Sequence, residues 1–375
     1  MLTGSGQCNL TRDEPPQAFL DHYGGHGDFL GQALRAYPPA RVMEQFTAWK
    51  LPLVVREDRK VFPRSLKAGD VSHTLRQRCE EQGITLACGC RVVSLEKEGG
   101  AFTARLEDGT TVPAEAVIIA TGGLSFPTTG STGDGYRLAR SLGHTVIPPR
   151  AALSAVLTPD STIGRCSGLS FPLVSVEVVK GEACGKHYAG ALLITHTGLS
   201  GPVVIDHSRD FASGDILSVC FLPHGDGKTR SVREMERLLM DLAAQGGAQQ
   251  LRTILHQTLL PKSFIDWILG ETGIDGTRKA AEISKKQLTP IVQAIVSHRF
   301  TISLTGCLPT AMATAGGVSL TEVASQTMES HLVQGLYFAG EVLDIDGDTG
   351  GYNLQAAWST AYVAGQSAVQ GLLSR

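Results

Sequence analysis

The stretch from Gly335 to Gln355 constrains the fold more than any other part of this chain. A short apolar run, Leu336 to Ala339, stops at Gly340 and Glu341, crosses Gly347, Gly350 and Gly351, and enters a helix-like segment from Asn353. A run that short and that apolar reads as a buried strand. Gly350 and Gly351 carry no Cβ, so the backbone can approach a neighbour closely there. A helix that begins beyond them offers free N–H groups and the positive end of its dipole. Strand, acid, glycine pair and helix in this order suit a flat, phosphate-bearing ligand. The same order also suits a plain loop between a core strand and a core helix.

At 375 residues the chain is long for one core, and two or three domains are expected. A content of 42% hydrophobic and 18% charged residues describes a soluble globular protein. A formal net charge of −3 offers no strong attraction to polyanions. Neither nucleic acid nor a membrane is therefore an expected partner. No apolar run reaches the roughly 18 residues of a spanning helix, and no signal-like pattern opens the chain, so a cytoplasmic location is expected. Eight cysteines (Cys8, Cys79, Cys88, Cys90, Cys166, Cys184, Cys220 and Cys307) are thinly spread, as in a reducing compartment. Cys88 and Cys90 have no matching second pair, and the histidines show no ligand spacing, so no metal is expected.

Periodicity sets the organisation. Residues 72–82 read as a helix stopped by Gly83; 84–90 and 92–95 are strand-like. Glu98-Gly99-Gly100 and Asp108-Gly109 are hairpin turns around 102–106, and 116–120 is a buried strand ending at Gly122 and Gly123. A glycine loop from Gly130 leads into an amphipathic helix that carries Leu138 and Leu142, with Asp134 placed to cap it or to accept from a ribose hydroxyl, capping being the expected role. Pro148-Pro149 marks a boundary. Beyond it, 153–157, 173–179, 187–194 and 216–221 are strand-like, as in a small barrel or sandwich, and 229–244, 249–260, 262–269 and 285–297 are helical. The expected architecture is α/β: a discontinuous Rossmann-like domain, 1–150 with 308–375, interrupted by a β-barrel-like insert, 151–226 with 298–307, and a helical bundle, 227–297.

Five segments taken in order carry a resemblance: Thr3 to Asn9, Arg59 to Pro63, Ala120 to Gly123 with Gly130 to Gly135, Thr314 to Val318, and Phe338 to Glu341 running on to Gly350 to Asn353. Over nearly the whole chain this pattern resembles the BaiN/YhiN-like family of NAD(P)/FAD-dependent flavoproteins. The resemblance implies an FAD-binding α/β domain, with NAD(P)H as electron donor. It places Thr121, Gly122 and Gly123 at a strand end beside the cofactor, and Gly340 and Glu341 near its ribityl-phosphate part. Gly350, Gly351, Tyr352, Asn353 and Leu354 would line the flavin ring, with Val92 at the adenine. Thr3, Gly4, Gly6, Cys8 and Asn9 would form a loop near the ring. Gln7 stands where many relatives carry a basic residue.

Family members open with a strand, a Gly-x-Gly-x-x-Gly turn, a helix and a second strand, roughly 30 residues. This sequence begins at the loop that follows, so the expected domain is truncated at its N-terminus; the chain reads as a fragment of a longer flavoprotein in preference to the alternative, a truly shortened gene. The catalytic groups stay open: Cys8 lacks a nearby resolving thiol, and His196 is a proton-donor candidate by its ordinary pKa or else a plain loop histidine. The leading expectation is an FAD-dependent oxidoreductase that moves hydride from NAD(P)H to a small organic acceptor. The alternative is a non-catalytic remnant that binds partners. An RNA-modifying enzyme is disfavoured by the near-neutral charge.

Overall fold

The computed structural model describes residues 6–158, 162–181, 183–246 and 248–374. The chain divides into two compact units, one formed by 1–153 with 307–375 and the other by 154–306.

In the first unit the organising element is the 22-residue terminal helix Tyr352–Leu373. It is rich in alanine, which lets the helix Gly27–Ala36 lie close against it through Leu30, Ala33 and Leu34. The strand Leu336–Phe338 pairs in parallel with Val117–Ile119, with Leu336 opposite Val117 and Phe338 opposite Ile119. Parallel pairing puts the carboxyl ends of both strands at one edge. The glycine turns that follow them, Gly122-Gly123 and Gly340, therefore leave the sheet side by side, where α/β sheets keep their ligands.

An antiparallel meander of Val92–Glu98, Ala101–Leu106 and Thr111–Ala114 flanks this pair in sequence, with turns at the predicted glycines. Two further antiparallel sets complete the unit: Val146–Ala152 with Ala313–Val318, and Thr11–Arg12 with the hairpin of Leu53–Val55 and Lys60–Pro63.

Several expectations change. Residues 84–90 form no strand, and Ile84 and Leu86 are 54% and 47% exposed. A strand needs a hydrogen-bonding neighbour, and none runs beside this segment among the described residues. Val117–Ile119 is only partly buried, because one strand flanks it among the described residues and Ile118 remains exposed. Pro148 and Pro149 lie inside a strand, where a register shift between Ala315 and Gly317 accommodates them. Asp134 does not cap its helix: Gly133 is the N-cap, without a side-chain bond, and Asp134 instead meets Arg91.

The second unit holds one six-stranded antiparallel sheet in the order His298–Thr301, Ile216–Cys220, Ser170–Lys180, Ala183–Ile194, Gly198–Ser200, Val156–Leu157. Four helices, Val232–Gly246, Leu251–His256, Lys262–Thr272 and Lys285–Val296, form the expected helical cluster. The expected barrel is only half made. Its edge strands share no ladder among the described residues, and one bridge, Leu157 to Leu304, approaches closure. The helices supply the reason. They pack Phe264, Ile291 and Ile295 against strand residues such as Phe171, Val219 and Phe300, so the sheet buries its apolar face without curling onto itself. No helix among the described residues is long and apolar enough to cross a membrane.

Candidate cofactor site

The two side-by-side turns of the first unit are tied together by a carboxylate and a hydroxyl. Glu341 Oε1 accepts from the Thr314 N–H at 2.7 Å, and Oε2 accepts from the Gly123 N–H at 3.3 Å. Thr314, fully buried, accepts at Oγ1 from the Leu124 and Ser125 N–H groups at 2.9 and 3.1 Å, with Ser125 Oγ at 2.9 Å. A Cβ on Gly123 would lie 2.3 Å from Thr314 Oγ1, so this glycine is required by the chain's own packing. Burial raises the Glu341 carboxyl above its ordinary pKa, while the two N–H bonds work the other way. Gly340 turns at φ +73° and donates its N–H to Thr360 Oγ1 at 2.9 Å. A void of about 10 Å³, near the size of one water, is lined by Gly340, Glu341, Ile345, Asn353, Ala356 and Thr360.

The glycine pair ahead of the terminal helix has a second reason to be glycine. At Gly351, where φ is +104°, a Cβ would sit 2.8 Å from the backbone carbon and oxygen of Thr11. At Gly350 it would meet Arg12 Nη1 at 3.1 Å and Lys60 Cε at 3.3 Å. No side chain caps the helix at Gly351. The side chains that follow are used inside the protein. Tyr352 stacks on His22 at 4.0 Å and meets Phe19 edge-on at 4.9 Å. Asn353 clamps Gly347, accepting its N–H at Oδ1 and donating from Nδ2 to its carbonyl, both at 2.8 Å. Leu354 packs with the cluster that contains Cys8. What this helix start leaves open is backbone rather than side chain.

Thr3 and Gly4 lie outside the described residues, and Gly6 is exposed at φ +77°. Cys8 is buried beside Leu10, Phe46 and Val71, and burial pushes its thiol up to about 11. At neutral pH it is a protonated thiol, which counts against a thiolate nucleophile. Asn9 Oδ1 is buried and has no hydrogen-bond partner among the described residues. Gly135 packs on Thr121, whose Oγ1 would be 2.1 Å from an added Cβ. The Val92 carbonyl accepts from Arg137 Nη2 at 3.0 Å, and Asp134 beside it is held down to about 2 by Arg91, which bonds it from Nε and Nη2 at 2.8 Å each. His196 belongs to the second unit, in the exposed turn closed by Thr195 and Gly198.

Sequence reading placed Thr314 and Gln355 in its motif segments without giving either a role, and did not single out Thr360 or Thr11. Gln355 is fully buried: its Oε1 accepts from Thr11 Oγ1 at 2.6 Å and its Nε2 donates to the Tyr37 carbonyl at 2.9 Å. The available signal was three polar residues, Gln355, Ser359 and Thr360, on the buried side of an alanine-rich helix.

A model of the HI0933-like protein Rossmann domain matches residues 1–367. The chain belongs to that HI0933-like Rossmann family. The resemblance read from the five segments thus holds across the chain. A 3-dehydro-bile acid delta(4,6)-reductase of Clostridium scindens is 31% identical over 99% of this chain and 89% of its own length. A ribosomal RNA dihydrouridine synthase of Haemophilus influenzae is 32% identical over 98% of this chain and 88% of its own. Among solved structures, Klebsiella pneumoniae HpxO with FAD and uric acid aligns at 11% identity and a TM-score of 0.22, covering 83% of this chain and 60% of that one. The chain thus spans less than two thirds of that structure's length, and so distant a likeness carries no argument.

The ribosomal RNA enzyme overturns the expectation of no nucleic acid partner. A net charge of −3 averages over the whole chain and hides local excess. Between residues 50 and 78 there are eight lysines and arginines against three acids, Glu57, Asp58 and Asp70.

Proposed function

We propose that this chain is an FAD-dependent oxidoreductase that takes hydride from NAD(P)H and delivers it to a ring double bond of an organic acceptor. One observation carries the reading. Two parallel strands release Gly122-Gly123 and Gly340 at the same edge, and the buried Glu341 carboxylate locks one turn to the other. The residues fit a flavin nucleotide in two respects: the buried Asn9 Oδ1 is without a partner among the described residues, and the long helix begins uncapped at Gly351.

Gly122, Gly123 and Gly340 would give the ribityl-phosphate part close approach to backbone, and Asn9 with the Tyr352 and Asn353 N–H groups would face the ring. When bound, FAD supplies the hydride chemistry between donor and acceptor. Glu341 fixes the spacing of the two turns. Thr314 holds the Leu124 and Ser125 N–H groups in line, and Cys8 contributes a neutral S–H rather than a charge. The reductase and the dihydrouridine synthase among the relatives share, by their names, the addition of hydrogen to a ring. That common chemistry supports an unsaturated ring as acceptor.

A small organic molecule is the first acceptor class, as the family resemblance implies. A base in RNA is the second, favoured by the basic excess between residues 50 and 78. The test is to mix the purified chain with FAD, remove free cofactor, and add NADH or NADPH without oxygen. Retained flavin absorbance that bleaches with either donor is expected. Failure to retain flavin overturns the proposal.

A further inference from the structure

We infer that the hairpin of Leu53–Val55 and Lys60–Pro63, with the loop leading to the helix Ala68–Glu81, is a docking surface for the phosphate backbone of single-stranded RNA. The inference rests on the RNA reading above.

The surface is built around the N-terminal loop. Arg56 donates from Nη2 to Gln7 Oε1 at 2.7 Å and lies 4.0 Å from the Phe62 ring centre. Ala68 donates its N–H to the Gly6 carbonyl at 2.8 Å, which brings the adjoining Lys67 to the same loop. Arg64, one residue past the hairpin, bonds its N–H to the Pro52 carbonyl at 2.8 Å. Arg59, at the hairpin tip, turns with φ +61° and reaches the Asp13 carbonyl at 3.5 Å. Charges nearer the glycine turn are already matched: Arg12 pairs with Glu14 at 2.9 Å and Lys60 with Asp58 at 2.8 Å.

Arg56, Arg59, Arg64 and Lys67 are different. All four are exposed, and none forms an ion pair with a carboxylate among the described residues. Four exposed cations along one hairpin and the loop that follows it offer phosphates a track. The nearby acids are Asp13, Glu14, Glu57, Asp58 and Asp70; Glu14 is engaged by Arg12, Asp58 by Lys60 and Asp70 by Ser65 Oγ at 2.5 Å, which leaves Asp13 and Glu57 against the four cations. Such contacts release counterions, so each phosphate neutralised adds about 0.7 to the slope of log affinity against log salt for a single strand.

The experiment titrates the full chain with a mixed-sequence single-stranded RNA of roughly 16 nucleotides at several salt concentrations. The variant Arg56→Gln/Arg59→Gln/Arg64→Gln/Lys67→Gln is expected to lower the slope by about 3. A control that neutralises four exposed cations of the second unit, Arg233, Lys262, Lys279 and Lys286, is expected to leave it unchanged. Should the quadruple variant lose its circular-dichroism spectrum, the pairs Arg56→Gln/Arg59→Gln and Arg64→Gln/Lys67→Gln are each expected to lower it by about half as much. An unchanged slope in a folded variant overturns the inference. So does wild-type binding to phosphatidylserine vesicles without binding to the RNA. Bleaching of bound flavin by NAD(P)H is read on the same samples, so a failed docking surface is distinguished from a failed oxidoreductase.

Discussion

The two units are held together by different physics. The second has one continuous apolar core in which Phe171, Phe221 and Phe264 pack ring against ring at 4.4 to 5.0 Å. The first divides its apolar residues between two clusters and stitches them with buried hydrogen bonds: Thr11 to Gln355, Ser359 to the Tyr37 carbonyl at 2.8 Å, and Trp358 Nε1 to the Leu10 carbonyl at 3.1 Å. Apolar volume tolerates many solutions, whereas a buried polar pair tolerates one geometry. The unit with the candidate site is the one whose geometry is specified by direction as well as by volume.

That contrast can be broken experimentally, and the largest effect belongs to the apolar side. Phe264→Ala should cost about 3 to 5 kcal/mol, read by urea unfolding through the fluorescence of Trp267, which stacks on Phe264. A cost below about 1 kcal/mol would show that this core is loosely filled. In the first unit, Gly351→Ala forces a Cβ against the Thr11 backbone at positive φ and should cost about 2 to 5 kcal/mol. Thermal unfolding indistinguishable from wild type would remove the close approach from the argument.

Thr11→Val keeps the shape but leaves Gln355 Oε1 buried without its donor, for an expected loss of about 1 to 3 kcal/mol. If Thr11→Val is neutral, the stitching is ornamental and the two units are alike. The smallest effect is at the surface. The folded pKa of Asp134 lies below its ordinary value of 3.8, at about 2, so its bridge to Arg91 contributes above that ordinary value. The contribution fades as pH falls toward 2. The stability difference between wild type and Asp134→Asn should therefore be present at pH 6 and shrink through that window; a difference independent of pH would assign it to another cause.

Much of this was legible beforehand, and the misses share a cause. The strand and helix around Gly340 to Asn353, the meander turns at Gly99-Gly100 and Gly109, and the four helices of the second unit follow from local periodicity and turn chemistry. The strand expected at 84–90 failed because periodicity reports a capacity to pair without supplying a neighbour. Within the site the glycines were legible but their partners were not. Gly351 reads as room for a ligand until Thr11, far away in sequence, is found 2.8 Å from its would-be Cβ. Charge misled for a similar reason, because a sum over the chain erases the basic stretch that folds into one hairpin, a loop and the helix that follows.

The order of strand, glycine turn and helix was fixed by the sequence alone, since backbone freedom and hydrophobic period act over a few residues. Tertiary structure decided which side chains are spent holding the elements together, such as Gln355 on Thr11 and Glu341 on Gly123, and which atoms remain available, such as Asn9 Oδ1. Hydrogen-bond partners hundreds of residues apart are chosen by packing, and no local pattern encodes that choice.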